Sequence, residues 1–303
     1  MRTVTTRIDT ELCDGCGLCV RACPLETLAL VEGKARVVGE RSLRCGHCAA
    51  ACPKGAVTVE GVADPLAELR TIRPDGAVRV GPGELAALMG SRFSCRNFRE
   101  EPLSRELLED LVRVGITAPT GTNSQKWTFT ILADREKVLE LGRAVAAFYE
   151  KVNRLAANPL ARLYSRIFAG GELGKYYREY YPMVRKALVE WKATGRDRLF
   201  HGAPAAIVIG SLPGASCPGE DALLAAGWIT LAAHAAGLGS CLIGYAVEAA
   251  RREKGIGRLL GLERGEEIRA VLALGRPSLT YKNVGKARFR PILRFRAGGG
   301  PSS

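Results

Sequence analysis

Cys13-Asp14-Gly15-Cys16-Gly17-Leu18-Cys19-Val20-Arg21-Ala22-Cys23-Pro24 spaces four cysteines as C-x2-C-x2-C-x3-C-P. That is an iron–sulfur spacing. Three thiolates two residues apart wrap a tight loop around three irons of a cubane. Gly15 and Gly17 let backbone N–H groups approach the cluster sulfurs. The fourth cysteine sits on the turn that leaves the loop, and Pro24 directs it toward a neighbouring cluster. A second run, Arg44-Cys45-Gly46-His47-Cys48-Ala49-Ala50-Ala51-Cys52-Pro53, repeats the C-x2-C-x3-C-P part. Each run is followed by a short alternating segment, 27–31 and 56–59. The two runs are an internal repeat. They predict a module over residues 1–60 with antiparallel strand pairs and a short helix after each Cys-Pro.

By crossover, the first cluster takes Cys13, Cys16, Cys19 and Cys52, and the second takes Cys23, Cys45 and Cys48. A fourth thiolate is expected three residues before Cys45, and that position is Ser42. A serine alkoxide is a harder and rarer iron ligand than a thiolate. The expectation is one 4Fe–4S cluster and a second that is 4Fe–4S, easily oxidised to 3Fe–4S. His47 reads as a loop histidine rather than a substitute ligand. Zinc suits C-x2-C pairs but not four cysteines ending in C-x3-C-P. A disulfide framework suits a secreted chain. The start, Met-Arg-Thr-Val-Thr-Thr-Arg, has no apolar leader run, and a cytoplasmic location is expected.

The remaining cysteines, Cys95, Cys217 and Cys241, are scattered among 303 residues. Cys95 and Cys241 read as small buried residues. Composition is that of a globular chain, 47% hydrophobic and 25% charged. The net charge of +13 is uneven. Residues 1–60 hold eight Lys/Arg against seven Asp/Glu, residues 141–200 hold twelve against five, and the tail from Arg276 holds seven basic residues and no acid. No nucleic-acid motif accompanies the charge, which suits an acidic protein partner or a cofactor phosphate instead. The uncharged stretch near residues 222–247 is Ala-rich and broken by Gly237 and Gly239. It reads as a buried or subunit-interface helix, not a membrane span.

Turn signals at Asp64-Pro65, Arg73-Pro74-Asp75-Gly76 and Gly81-Pro82-Gly83 mark residues 61–84 as a linker. A second domain, 85–303, begins with a helix at 85–89. Ser91-Arg92-Phe93-Ser94-Cys95-Arg96-Asn97-Phe98 puts two arginines and a serine at alternate positions, which suits an anion such as phosphate. A helix at 104–116 follows, with Leu107, Leu108, Leu111 and Val112 on one face. Then Ala118-Pro119-Thr120-Gly121-Thr122-Asn123-Ser124-Gln125-Lys126-Trp127 leads into a strand at 128–132. Its amides and hydroxyls suit the polar edge of a heterocycle.

R-x-S-x-R-x-F, a helix, then A-P-T-x-x-N-S-Q-x-W resembles the nitroreductase family of FMN enzymes. Gly237-Leu238-Gly239-Ser240-Cys241-Leu242-Ile243-Gly244 resembles its second flavin loop, and Leu274-Gly275-Arg276-Pro277 its C-terminal landmark. A bacterial ferredoxin-like module ahead of this domain occurs in one branch of the family. The resemblance implies an α+β sandwich with a mostly antiparallel sheet, and a homodimer with FMN at the interface. It implies that Arg92, Ser94 and Arg96 hold the FMN phosphate. Pro119, Thr120, Asn123 and Gln125 would line the ring and ribityl chain, and Ile243 and Gly244 would present backbone to the flavin N5 side. Lys286 or Arg288 would close the phosphate site.

Residues 146–200 depart from the compact family core and hold six of the eight tyrosines, with Trp191. They read as a helical lid over the flavin or as an extra aromatic layer. No Walker loop or G-x-G-x-x-G after a strand is present, so a Rossmann NAD site is not expected. The expected function is an oxidoreductase. Reduced ferredoxin or a similar acidic donor would feed electrons through both clusters to FMN and on to a small acceptor, a nitro compound, quinone or enone. A dehydrogenase running in reverse, and a redox sensor without substrate, are the alternatives. No catalytic side chain is named.

Overall fold

The computed structural model describes residues 2–72, 80–280 and 291–294. Lys286 and Arg288 lie outside them.

The N-terminal module is built from short pieces. β1 (Arg2–Thr3), β2 (Thr6–Ile8), α1 (Leu18–Ala22), β3 (Leu28–Val31), β4 (Lys34–Val37), β5 (Arg41–Ser42), α2 (His47–Ala50) and β6 (Val57–Val59) follow in order. The strands pair antiparallel as β1–β5, β2–β6 and β3–β4. The expected helices are displaced. Each lies before its Cys-Pro rather than after it, α1 carrying Cys19 and α2 carrying Cys48. Gly17 (φ 71°) and Gly46 (φ 74°) start the two helices from the left-handed region, where glycine carries no steric cost. Pro24 then pushes Cys23 to extended backbone (φ −87°, ψ 111°) and ends α1.

The linker expectation is also modified. Pro65–Glu68 form a 3-10 turn, capped by the Asp64 carboxylate accepting the Leu66 N–H at 2.9 Å. Buried Asp110 then accepts the backbone N–H groups of Arg70 (2.9 Å), Thr71 (2.5 Å) and Ile72 (3.3 Å), and the Thr71 hydroxyl (2.7 Å). Part of the linker is therefore strapped to the second domain.

That domain runs α3 (Pro82–Ser91), α4 (Arg105–Gly115), β7 (Trp127–Leu132), α5 (Arg135–Ala157), α6 (Pro159–Phe168), α7 (Glu172–Glu179), α8 (Tyr181–Thr194) and β8 (Ala205–Ser211). It closes with α9 (Pro218–Ala235), β9 (Gly239–Leu242), α10 (Gly244–Arg252), α11 (Lys254–Leu259) and β10 (Glu267–Gly275). Among the described residues the strands form one sheet, β7-β8-β10-β9, antiparallel at every pairing. The α+β sandwich expected from the sequence is present. Alternation along buried β8 sends Ala205, Ile207 and Ile209 to one face and Ala206 and Val208 to the other. The first face packs on Leu108 and Leu111 of α4 and Ala222, Ala226 and Ile229 of α9. The second packs on Val138, Leu141 and Val145 of α5 and Ala246 of α10. Among the described residues no helix is long and apolar enough to cross a membrane. The small residues of α9 lie against the sheet, while Leu223, Leu224 and Trp228 face outward and are exposed.

Candidate functional site

Six of the seven N-terminal cysteines fall into two groups in space. Cys23, Cys45 and Cys48 line one small cavity together with Ser42, Leu43 and Gly46. Burial raises the Cys48 thiol, and the nearby Cys23 and Cys45 raise it further. Burial likewise raises Cys19, with Cys52 and Cys13 beside it. Cys23 thus lies with Cys45 and Cys48, and Cys52 with Cys13 and Cys19. Backbone N–H groups point at the thiols, from Ala35 to Cys13 Sγ at 3.5 Å and from Ala56 to Cys52 Sγ at 3.3 Å. These donors favour thiolate, and the Cys13 thiol is lowered by the N–H groups of Ala35 and Gly15. Burial pushes the Cys23 thiol up, but the Thr27 hydroxyl and the N–H groups of Leu25, Thr27 and Leu28 outweigh it and lower the thiol.

Two separate sets of thiols with inward N–H donors fit polynuclear clusters, in which each iron takes one cysteine. Among the described residues no three His, Cys, Asp or Glu side chains close on a single ion. Ser42 stands in the wall of the second cavity, and its hydroxyl accepts the Arg44 N–H at 3.0 Å. His47 is exposed and does not line that cavity.

The residues of the second domain are assembled from distant segments. Residues 94–98 run along β9 and the end of β10. Ser94 bridges Ser240, the Cys95 N–H donates to the Ser240 carbonyl at 2.9 Å, and Phe98 bridges Pro277. Gly239 permits this approach, because a Cβ there would sit 2.6 Å from Cys95 Cβ. Arg92 is half-buried and Arg96 exposed, and neither has a side-chain partner among the described residues. Both guanidinium groups act on Cys241, whose thiol is raised by burial against their opposing pull. Two unpaired guanidinium groups flanking a serine hydroxyl fit a phosphate.

Arg96, Cys241, Leu242, Ile243 and Gly244 also line a cavity of about 1750 Å³. α5 to α8 supply its other wall, including Tyr149, Tyr176, Tyr180 and Trp191. Tyr176 stacks between Tyr149 (6.3 Å) and Tyr180 (6.2 Å), and Tyr149 meets Tyr245 edge-on at 5.4 Å. The Tyr176 hydroxyl donates to Asn153 Oδ1 at 2.8 Å, and the Tyr149 hydroxyl to the Tyr245 carbonyl at 3.3 Å. Burial pushes both phenols well above their ordinary range, so they remain neutral hydrogen-bonding groups.

Pro119, Thr120, Asn123 and Gln125 do not line this cavity. Their turn sits against the start of α9 and against the N-terminal module. Thr122 (φ 51°), Asn123 (φ 52°) and Gln125 (φ 48°) are left-handed. Asn123 Nδ2 donates to the carbonyls of Leu43 (2.9 Å) and Arg44 (3.1 Å), and Gln125 Nε2 donates to Asn123 Oδ1 at 2.9 Å. The Gln125 N–H donates to Thr120 Oγ1 at 3.2 Å.

Comparison with known proteins decides the family. The nitroreductase family model matches residues 89–276, more than half of the chain. The chain belongs to the nitroreductase family. A 4Fe-4S dicluster domain model matches residues 5–62, so the family domain is preceded by a dicluster module. A ferredoxin of Pyrobaculum islandicum is 39% identical over 64 residues, which are 21% of this chain and 60% of that protein. Iodotyrosine deiodinase 1 of Rattus norvegicus is 28% identical over 71 residues, 22% of this chain and 25% of that protein. The chain thus spans less than two thirds of either relative. A solved nitroreductase with bound FMN from Bacteroides fragilis is 18% identical, with a TM-score of 0.49, covering 70% of this chain and 99% of that one.

One residue that holds the 119–125 turn escapes sequence reasoning. Buried Asp221, in the first turn of α9, accepts the Gly121 N–H at 2.8 Å and the Ser124 hydroxyl at 3.2 Å. Its carbonyl accepts the Trp127 indole N–H at 3.2 Å. An acid at a helix start reads in sequence as a dipole partner, and nothing there links it to a turn a hundred positions earlier.

Proposed function

We propose that this nitroreductase-family protein is an iron–sulfur flavoprotein oxidoreductase. It takes single electrons from reduced ferredoxin or a similar acidic low-potential donor and delivers them, through two clusters and FMN, to a small organic acceptor. The observation that carries this reading is the shared cavity. Arg96 of the phosphate-type motif, without a side-chain partner among the described residues, opens with Ile243 and Gly244 onto one aromatic-walled volume, in a chain that also holds two sets of cluster-type thiols. A volume of about 1750 Å³ exceeds the roughly 300–1,000 Å³ of ordinary ligand pockets. It leaves room for a cofactor edge and an acceptor, which supports an enzyme over a sensor without substrate.

Bound FMN would collect two electrons and supply them as hydride, and the clusters would relay electrons one at a time. The chain's own residues bind and exclude. Arg92, Ser94 and Arg96 would hold the phosphate, with Pro119, Thr120, Asn123 and Gln125 along the ring and ribityl chain and Ile243 and Gly244 at the reacting edge. Cys13, Cys16, Cys19 and Cys52 would hold a 4Fe–4S cluster. Cys23, Cys45 and Cys48 would hold a second of three or four irons. In a single chain the 119–125 turn and the Arg96 cavity are separate, which supports completion of the site by a second copy. The outward Leu223, Leu224 and Trp228 of α9 suit that homodimer contact.

The tyrosine-bearing helices α6 to α8 form one wall of the cavity and would act as a lid that sets acceptor choice. Deleting residues 160–190 should change substrate kinetics, and unchanged kinetics would sink the lid. For the function as a whole, the test is anaerobic mixing of the holoenzyme with dithionite-reduced ferredoxin or with NADPH, followed by absorbance and EPR. Faster flavin reduction by ferredoxin is expected. Equal or faster reduction by NADPH would overturn the ferredoxin inlet.

A further inference from the structure

The two thiol sets stand in different relations to the second domain. Leu43 lines the cavity of Cys23, Cys45 and Cys48, and its carbonyl oxygen accepts the Asn123 amide at 2.9 Å. The next carbonyl, of Arg44, accepts the same amide at 3.1 Å, and Cys45 follows directly in the chain. A second tether lies alongside. Arg2 is the cross-strand partner of Ser42, and its guanidinium Nη2 donates to the Ser124 carbonyl at 2.7 Å. The contact is therefore centred on Ser42, Leu43 and Arg44, the approach to the second cavity.

The receiving turn is held rigidly. Gln125 occupies the Asn123 carbonyl, which points the Asn123 amide N–H groups at the module. Asp221 grips Gly121 and Ser124 from behind. The first thiol set has no such anchorage. Cys16 is exposed, and among the described residues no hydrogen bond or ion pair joins its loop, 13–19, to the second domain.

We propose that the cluster of Cys23, Cys45 and Cys48 is the module's electron outlet, docked on the flavin domain by Asn123 and Arg2, and that the cluster of Cys13, Cys16, Cys19 and Cys52 is the inlet. The proposal rests on the relay reading above and gives it an order. Each docked iron–sulfur donor protein is oxidised by one electron at the inlet. Two such donors supply the two electrons that the organic acceptor takes up with two protons from solvent. Electron transfer slows steeply with distance, so the cluster nearer the flavin domain sets the internal rate. Hydrogen bonds and solvent exposure tune cluster potential. The docking contacts therefore make the outlet's potential sensitive to Asn123 and Arg2, while the inlet's is not.

The experiment uses the holoenzyme and an EPR-monitored potentiometric titration of both clusters, with Cys48→Ala identifying the outlet signal by its loss. Asn123→Ala and Arg2→Ala should each shift the outlet potential and leave the inlet potential and line shape unchanged. Combined, they should slow cluster-to-flavin transfer at least tenfold in a single turnover, with iron and FMN contents measured alongside. An inlet signal that moves instead, or an outlet potential that moves in neither variant, would overturn the proposal. Arg2 belongs to neither ligand set, so Arg2→Ala keeps the test decisive if Asn123→Ala loses FMN. If the wild-type protein binds no FMN, an outlet shift in the variants would support the docking and break the flavin reading. Unslowed flavin reduction by ferredoxin in the double variant would break the outlet and leave the flavin reading standing.

Discussion

The N-terminal module and the second domain are stabilised by different means. The module's strands come in isolated pairs of two to four residues, and its buried apolar set is small: Leu28, Ala35, Ala56 and Val57 with Cys13 and Cys19. Two-stranded pairs of that length are marginal alone, and domains this small usually need a metal or covalent staple. The second domain has a continuous antiparallel sheet with apolar clusters on both faces, and Phe200, Leu108 and Leu111 are fully buried. The difference teaches that the cysteines carry the module's fold as well as its chemistry, whereas the second domain has a core to spare and lends out loops for binding.

The largest expected effect breaks the pair apart. Removing iron with ferricyanide and a chelator should unfold the module while the second domain keeps its cooperative transition. Circular dichroism with limited proteolysis reads this as cleavage confined to residues 1–60. A module that resists proteolysis without iron would contradict the comparison.

The seam between the two regions comes next. Asp110 of α4 binds three backbone N–H groups of residues 70–72 and also pairs with Arg113 at 3.4 Å. Asp110→Ala leaves those buried donors unmatched and should cost roughly 3 kcal/mol. A denaturant midpoint measures the loss, and faster proteolysis after residue 68 marks its place. Burial pushes the Asp110 carboxyl up, but the hydrogen bonds from Thr71, Arg70 and Ile72 outweigh it and hold it below 3.8. A depressed folded value means that this stability is complete above 3.8 and is lost as pH falls through the lower folded value. Asp110→Asn should flatten the acid limb of stability against pH.

In the second domain a binding loss should come without unfolding. Arg96 is exposed and has no side-chain partner among the described residues, so Arg96→Ala should cost the fold little. It should weaken FMN by about 1.5–3 kcal/mol, the worth of a charged hydrogen bond to phosphate. Fluorescence titration of released flavin measures this. Unchanged affinity would remove Arg96 from the phosphate site.

The same contrast governs what could be read without a structure. Thiol ligands lie close in the chain, so spacing alone separated seven of the ten cysteines as a cluster set. The α+β sandwich came from the family resemblance, while α4 and the strand at β7 were legible from the residue pattern, which is a local signal. The short helices were expected after each Cys-Pro because the motif is local but its direction is not. The left-handed Gly17 and Gly46 place them before it. The Asp110 strap and the Asp221 grip were invisible, since each joins residues about 40 and 100 positions apart. The separation of the 119–125 turn from the Arg96 cavity is a tertiary outcome that no motif encodes.

The smallest effect tests the module against itself. Ser42 occupies the position where the repeat calls for a fourth thiolate, and its hydroxyl already accepts the Arg44 N–H. Ser42→Cys swaps oxygen for sulfur in the wall of the second cavity and should change stability by less than about 1 kcal/mol. Its consequence lies in the cluster. A complete thiolate set should resist conversion to 3Fe–4S on mild oxidation, which EPR detects as loss of the three-iron signal. If the wild-type protein gives no three-iron signal, Ser42 or a solvent ligand already holds the fourth iron. The inequality of the two clusters then lies in their surroundings, one exposed at Cys16 and the other backed by Asn123, rather than in iron count.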